Sequence, residues 1–174
     1  MPEPFRATIV NTRSILAASV LLVLAFISVV AINRVPTQAP DVTFTTITGK
    51  KIALKKLRGK PVIVTFWATN CPGCIKEIPD LIDLHRQYHK QGLEIIAVAM
   101  YYDPPNHVIA LTEDLKLPYH VALDLASEHA GAFGDVQLIP STFLINPDGS
   151  FAIRKTGAFD PAEIKTHIQT LTKG

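Results

Sequence analysis

The segment Val62–Trp67 (VIVTFW) constrains this chain most, because each of its six residues is β-branched or aromatic. A strand with no polar face has no side to turn toward water, so it belongs inside a sheet covered on both faces. The rest of the chain must therefore supply neighbouring strands and covering layers. Both cysteines, Cys71 and Cys74, follow within seven residues of its end.

The flanking pattern meets that demand. From Ile75 to Gln91, the residues Ile78, Leu81, Ile82, Leu84 and Tyr88 recur mostly three or four apart, and Gly92 supplies a stop, which predicts an amphipathic helix. Pro79 lies inside it, so a kink or an early break is expected there. Leu93–Met100 reads as a second apolar strand, 106–117 as a helix entered through Pro104-Pro105, and Tyr119–Leu123 as a short strand. The less regular 124–138 has room for one short helix. Ser141–Asn146 and Ser150–Thr156 flank Asn146-Pro147-Asp148-Gly149 as a β-hairpin. Asp160-Pro161-Ala162-Glu163 has the N-cap, first-turn proline and acid that open a helix, here running to Thr172. Upstream, Val42–Thr46 and Lys51–Leu54 form a hairpin about Thr48-Gly49-Lys50. The expected fold is α/β, a central mixed β-sheet with helices on both faces.

A chain of 174 residues exceeds one such domain. The excess is N-terminal: 15–32 (ILAASVLLVLAFISVVAI) carries no charge and spans about 27 Å as a helix. It is apolar on every face, unlike a core helix, and longer than the apolar region of most signal peptides, so a transmembrane anchor is the expectation. A cleaved signal ending at Val29-Val30-Ala31 is the alternative. Arg6 and Arg13 precede the segment and Arg34 follows, which favours a cytoplasmic tail over 1–14 and a domain facing outwards. Residues 33–40, with Pro36 and Pro40, read as a tether, and 41–174 as the folded domain. Net charge is +2, with 17 basic and 15 acidic residues mixed along the chain. That excludes the clustered basic face of a nucleic-acid-binding protein.

Three chemistries compete for the Cys-x-x-Cys pair. A closed zinc site needs four ligands, and no second cysteine pair is present; His85 and His89 share a helix face but read as polar surface. A structural disulfide closing so short a loop constrains little of the unfolded chain. In the redox reading, Cys71 sits where a strand gives way to a helix, and free N–H groups with the helix dipole stabilise its thiolate as an exposed nucleophile. Cys74, one turn in and more buried, is the resolving thiol.

"FWATNCPGCIKEIP", "LIPSTFLINPDG" and the N-terminal apolar run together make residues 41–174 resemble the thioredoxin superfamily, and within it the membrane-anchored TlpA/ResA-like thiol-disulfide oxidoreductases. The resemblance implies Cys71 as nucleophile and Cys74 as resolving residue. It also implies a substrate surface built from Trp67, Pro72, Gly73, Ile139 and Pro140, with Pro140 in the cis form and the Ile139 backbone pairing with an extended substrate. Thr65 stands where thioredoxins carry a buried aspartate, so Glu77, at the spacing of the glutamate in ResA-like proteins, is the expected proton acceptor. Asn70 replaces the tryptophan often found before the first cysteine, and Pro72-Gly73 reverses the usual Gly-Pro.

The expected function is extracytoplasmic reduction of protein disulfides, apocytochrome c cysteines among them, recharged by a membrane electron-donor thiol-disulfide protein. No cofactor is needed beyond the redox-active disulfide itself. Two alternatives share the fold. A thiol peroxidase requires Pro-x-x-x-Thr-x-x-Cys, and Val64 and Ala68 occupy its proline and threonine positions. A copper chaperone would complete a thiolate site with His120, His129 or Met100.

Overall fold

The computed structural model describes residues 15, 19–24 and 37–172. The chain divides into two compact units, 1–36 and 37–174. Of the expected anchor, Ile15 and 19–24 are described, as exposed helix; the rest of it, the 1–14 tail and 33–36 lie outside the described residues. Among the described residues, no helix is long and apolar enough to cross a membrane.

The larger unit is built on the five-stranded sheet that Val62–Trp67 requires. Strands β3 (Val62–Trp67), β4 (Glu94–Ala99) and β5 (His120–Leu123) run parallel, while β6 (Ser141–Ile145) and β7 (Phe151–Thr156) form the antiparallel hairpin. The order is β5-β4-β3-β6-β7, which puts VIVTFW in the centre with every residue buried. Its side chains alternate between two cores. Ile63 and Trp67 join helices α1 (Pro72–Tyr88), α2 (Pro105–Asp114) and α4 (Pro161–Thr172) through Leu84, Val108 and Ile164. Val62, Val64 and Phe66 join the short α3 (Glu128–Ala132) and a hairpin of β1 (Thr43–Thr45) and β2 (Lys51–Ala53) through Phe44, Ile52 and Phe133. Each fully buried Leu, Ile or Phe contributes about 1.5–3 kcal/mol.

Two boundaries differ from the sequence reading. Residues 37–40, assigned to the tether, are part of the fold: Ala39 N–H donates to Gly149 O and Phe151 N–H to Thr37 O, both at 2.9 Å. The expected early break at Pro79 does not occur, and α1 runs through it. Proline inside a helix costs about 3 kcal/mol or more. Ile78, Leu81 and Leu84, immediately before and after it, are all buried in the same core, and that packing holds the two halves as one element.

Candidate active site

Strands β3, β4 and β5 are parallel, and β7, two antiparallel steps from β3, points the same way. The segments following all four therefore leave the sheet at one edge, where the segment entering β6 also arrives. Cys71 stands at this edge as the N-cap of α1, with Pro72 at the first helical position. Its N–H closes a turn onto Ala68 O at 3.2 Å, and its Sγ accepts the Cys74 N–H, also at 3.2 Å. A sulfur so placed receives an orphan donor of the first helical turn and lies at the positive end of the helix dipole. Cys71 is half-buried and Cys74 is buried. The two are joined as a disulfide with Cα atoms 5.3 Å apart.

The Ile139–Pro140 peptide is cis, as the resemblance implied. A Cβ added to Gly73 would lie 3.4 Å from Pro140 Cδ, so the backbone between the cysteines rests against that ring with no side chain intervening. Ser141 Oγ donates to Leu138 O at 2.7 Å and Gly157 N–H to Pro140 O at 2.8 Å, which holds the loop in place. Pro72 is exposed, Gly73 and Ile139 are half-buried, and Pro140 is buried. Trp67, expected at the substrate surface, is only 4% exposed and lies behind the cysteines.

Below Cys74 is a small pocket of about 10 Å³, room for at most one water. Thr65, Trp67, Cys74, Glu77 and Tyr119 are among its walls. Glu77 is 5% exposed and its Oε1 accepts the Phe159 N–H at 2.9 Å. Burial raises its pKa above the ordinary carboxylate value; the Phe159 N–H offsets part of this, and nearby Asp80 adds to it. Thr65 Oγ1 is committed to Thr142 Oγ1 at 2.9 Å. Burial pushes the Tyr119 phenol far above its usual range, so it stays neutral. Trp67 Nε1 is buried with no hydrogen-bond partner.

Residues 35–153 match the AhpC/TSA family. The chain is 35% identical over 140 residues to the thiol-disulfide oxidoreductase ResA of Bacillus cereus, covering 78% of this chain and 77% of that one. To ResA of Geobacillus thermodenitrificans it is 33% identical over 133 residues, covering 76% and 75%. The chain belongs to the AhpC/TSA family, among the ResA-type thiol-disulfide oxidoreductases. A thiol:disulfide interchange protein of Chlorobium tepidum shares the fold, with a TM-score of 0.71 and 26% identity over 80% of this chain and 99% of that one. Among AhpC/TSA members, this chain lacks the peroxidase proline and threonine, because Val64 and Ala68 fill those positions inside the buried core.

The copper-site candidates do not converge on the cysteines of this ResA-type chain. His120 opens β5, at the sheet edge opposite Cys71. Met100 is buried in the core on the other side of the sheet, and the His129 ring packs against Phe44 there, centroids 4.7 Å apart. His85 and His89 stack at 4.4 Å, with His89 Nδ1 3.1 Å from Leu93 O. Among the described residues, no group of three or more His, Cys, Asp or Glu is placed to hold a metal ion.

Sequence reasoning missed two features at this edge. Asp103 is 4% exposed, and its carboxylate accepts both the N–H and the hydroxyl of Thr69. Tyr101, Tyr102, Leu125 and Leu138 are 57%, 46%, 67% and 69% exposed on loops at the same edge of the sheet as the cysteines. The available signal was positional: all follow or precede strands at the edge where parallel sheets carry their sites.

Proposed function

We propose that this protein is a membrane-tethered, extracytoplasmic reductase of protein disulfides. Supporting this are the names of the ResA relatives, the uncharged run 15–32, and above all the site itself: a half-buried Cys71 capping a helix, bonded to a buried Cys74, with Pro140 against Gly73. In the reduced form, the Cys71 thiolate attacks one sulfur of a substrate disulfide, forming a mixed disulfide and expelling the first substrate thiolate. Cys74 then gives its proton to Glu77 and attacks Cys71 Sγ. The enzyme disulfide forms, and the second substrate thiolate leaves. Two electrons pass from the enzyme dithiol to the substrate.

Glu77 suits the proton-accepting role because it faces the same small pocket as Cys74, and burial raises its affinity for a proton. Pro72, Gly73, Ile139 and Pro140 form the surface on which an extended segment lies, with Trp67 as packing beneath it. The exposed Tyr101, Tyr102, Leu125 and Leu138 offer apolar area to a protein substrate rather than to a small thiol. Apocytochrome c cysteines are the proposed physiological targets, and a membrane thiol-disulfide protein the electron donor. The reaction uses the Cys71–Cys74 pair with no further cofactor.

The reduction potential of this pair tests the direction. A value near about −270 mV, as in thioredoxin, supports a reductase, while one near about −120 mV marks an oxidant and overturns the proposal.

A further inference from the structure

Thr69 is the second residue of the Ala68–Cys71 turn, the element that fixes where the nucleophile leaves β3. The partner that holds Thr69 comes from the loop after β4. Its N–H donates to Asp103 Oδ2 at 2.6 Å and its hydroxyl to Oδ1 at 2.7 Å, so one carboxylate takes both donors with both oxygens. Asp103 is itself fixed by a second turn, its N–H donating to Met100 O at 2.9 Å, while Met100 N–H donates to Trp67 O at 3.0 Å. Two turns leaving adjacent strands are thus riveted by a short pair of bonds to one buried carboxyl group.

We infer that Asp103 is a positioning residue for Cys71: its carboxylate holds the Ala68–Cys71 turn through Thr69 so that the Cys71 sulfur stays on the Cys74 N–H at the start of α1. The inference rests on Cys71 being the nucleophile. Once the disulfide is reduced, no bond ties the two sulfurs, and the turn alone determines how long the thiolate remains over that donor.

Two roles for Asp103 predict opposite signs. As a nearby negative charge, it would disfavour the thiolate, so Asp103→Asn would lower the Cys71 pKa. As a positioning residue, its loss frees the turn, the Cys74 N–H bond is made less of the time, and the Cys71 pKa rises. The test is the pH dependence of Cys71 alkylation by iodoacetamide in the reduced full chain, purified in detergent. We expect Asp103→Asn to be alkylated about fivefold more slowly than wild type at pH 6, with its profile displaced to higher pH. Thr69→Val, which loses only the hydroxyl, shifts less in the same direction, and Thr69→Ser restores the wild-type profile. A profile moved to lower pH, or a lowered melting temperature with the profile unmoved, overturns the inference. If Asp103→Asn does not fold, the Thr69→Val and Thr69→Ser comparison decides by the same criterion. Alkylation needs no disulfide exchange, so failure of the redox reading would appear separately, as a wild-type pair that cannot be cycled with a thiol buffer.

Discussion

Replacing Glu77 with Gln isolates the proton transfer. The volume is kept, and the amide oxygen can still accept the Phe159 N–H that Glu77 receives at 2.9 Å. What is lost is the capacity to take a proton. A thiol of ordinary pKa, about 8.5, is only about 3% ionised at pH 7, so without a base Cys74 attacks through that small fraction and release of substrate slows about 30-fold. Burial of a thiol deepens the deficit, carrying the expected loss toward about 10²-fold, the lower end for a positioned base. The assay is rapid mixing of reduced protein with a disulfide-linked fluorogenic peptide from pH 6 to pH 10. The deficit should close above about pH 9, where the thiol ionises unaided. An unchanged rate at pH 7, or a deficit that persists undiminished to pH 10, would refute the role given to Glu77. Stability provides an independent check on sign. A carboxyl whose folded pKa is raised contributes fully below its unfolded value, about 4.3, and loses that contribution as pH rises through the folded value. Glu77→Gln should therefore gain in melting temperature relative to wild type as pH rises across that window, and then level off.

Three further outcomes follow from buried or half-buried polar groups. Thr65→Val leaves Thr142 Oγ1 without its partner at 0% exposure, costing about 1–3 kcal/mol in urea unfolding; the Thr65→Val/Thr142→Val double variant should recover most of it. Asp124 accepts the His129 and Ala130 N–H groups at 3.0 and 2.8 Å, so Asp124→Ala should cost about 2 kcal/mol and lower the melting temperature by several degrees. His85 has its pKa lowered, first by burial and then by His89. Its contribution is present above its unfolded pKa, about 6.5, and is lost as pH falls through the folded value. His85→Gln should flatten the fall in melting temperature between pH 7 and pH 5, and an equally steep fall would count against this assignment.

The central strand was legible because Val62–Trp67 has a single solution: no polar face, hence the middle of the sheet, which the structure realises with all six residues buried. The cysteines were legible because they sit at its end, where chain order alone puts them on a helix N-terminus. At Pro79 the local rule allowed a kink or an early break, and the break is absent because the burial that overrides it belongs to the tertiary packing of Ile78, Leu81 and Leu84. Residues 37–40 were placed in the tether for a similar reason. Two prolines and polar neighbours look like linker until Gly149 and Phe151, more than 100 residues away, supply their hydrogen bonds. Asp103 carried no local signature, since its partner Thr69 is 34 residues distant.

Among the described residues, three carboxylates are buried: Glu77, Asp103 and Asp124. Burying a charge is costly unless hydrogen bonds compensate for the lost water. Each of the three accepts backbone N–H groups of segments that follow strands: Phe159 after β7, Thr69 after β3, and His129 and Ala130 in α3 after β5. Because β3, β5 and β7 point the same way, all three segments lie at the edge where Cys71 emerges. The fold thus places its buried carboxylates where the segments after strands, rather than the strands themselves, must hold a fixed shape. The donors are unequally shared. Asp103 receives the N–H and hydroxyl of Thr69, and Asp124 receives two N–H groups. Glu77 receives one N–H against its burial, and its pKa is raised. Glu77, whose affinity for a proton is raised by burial, is also the one of the three that shares a pocket with Cys74.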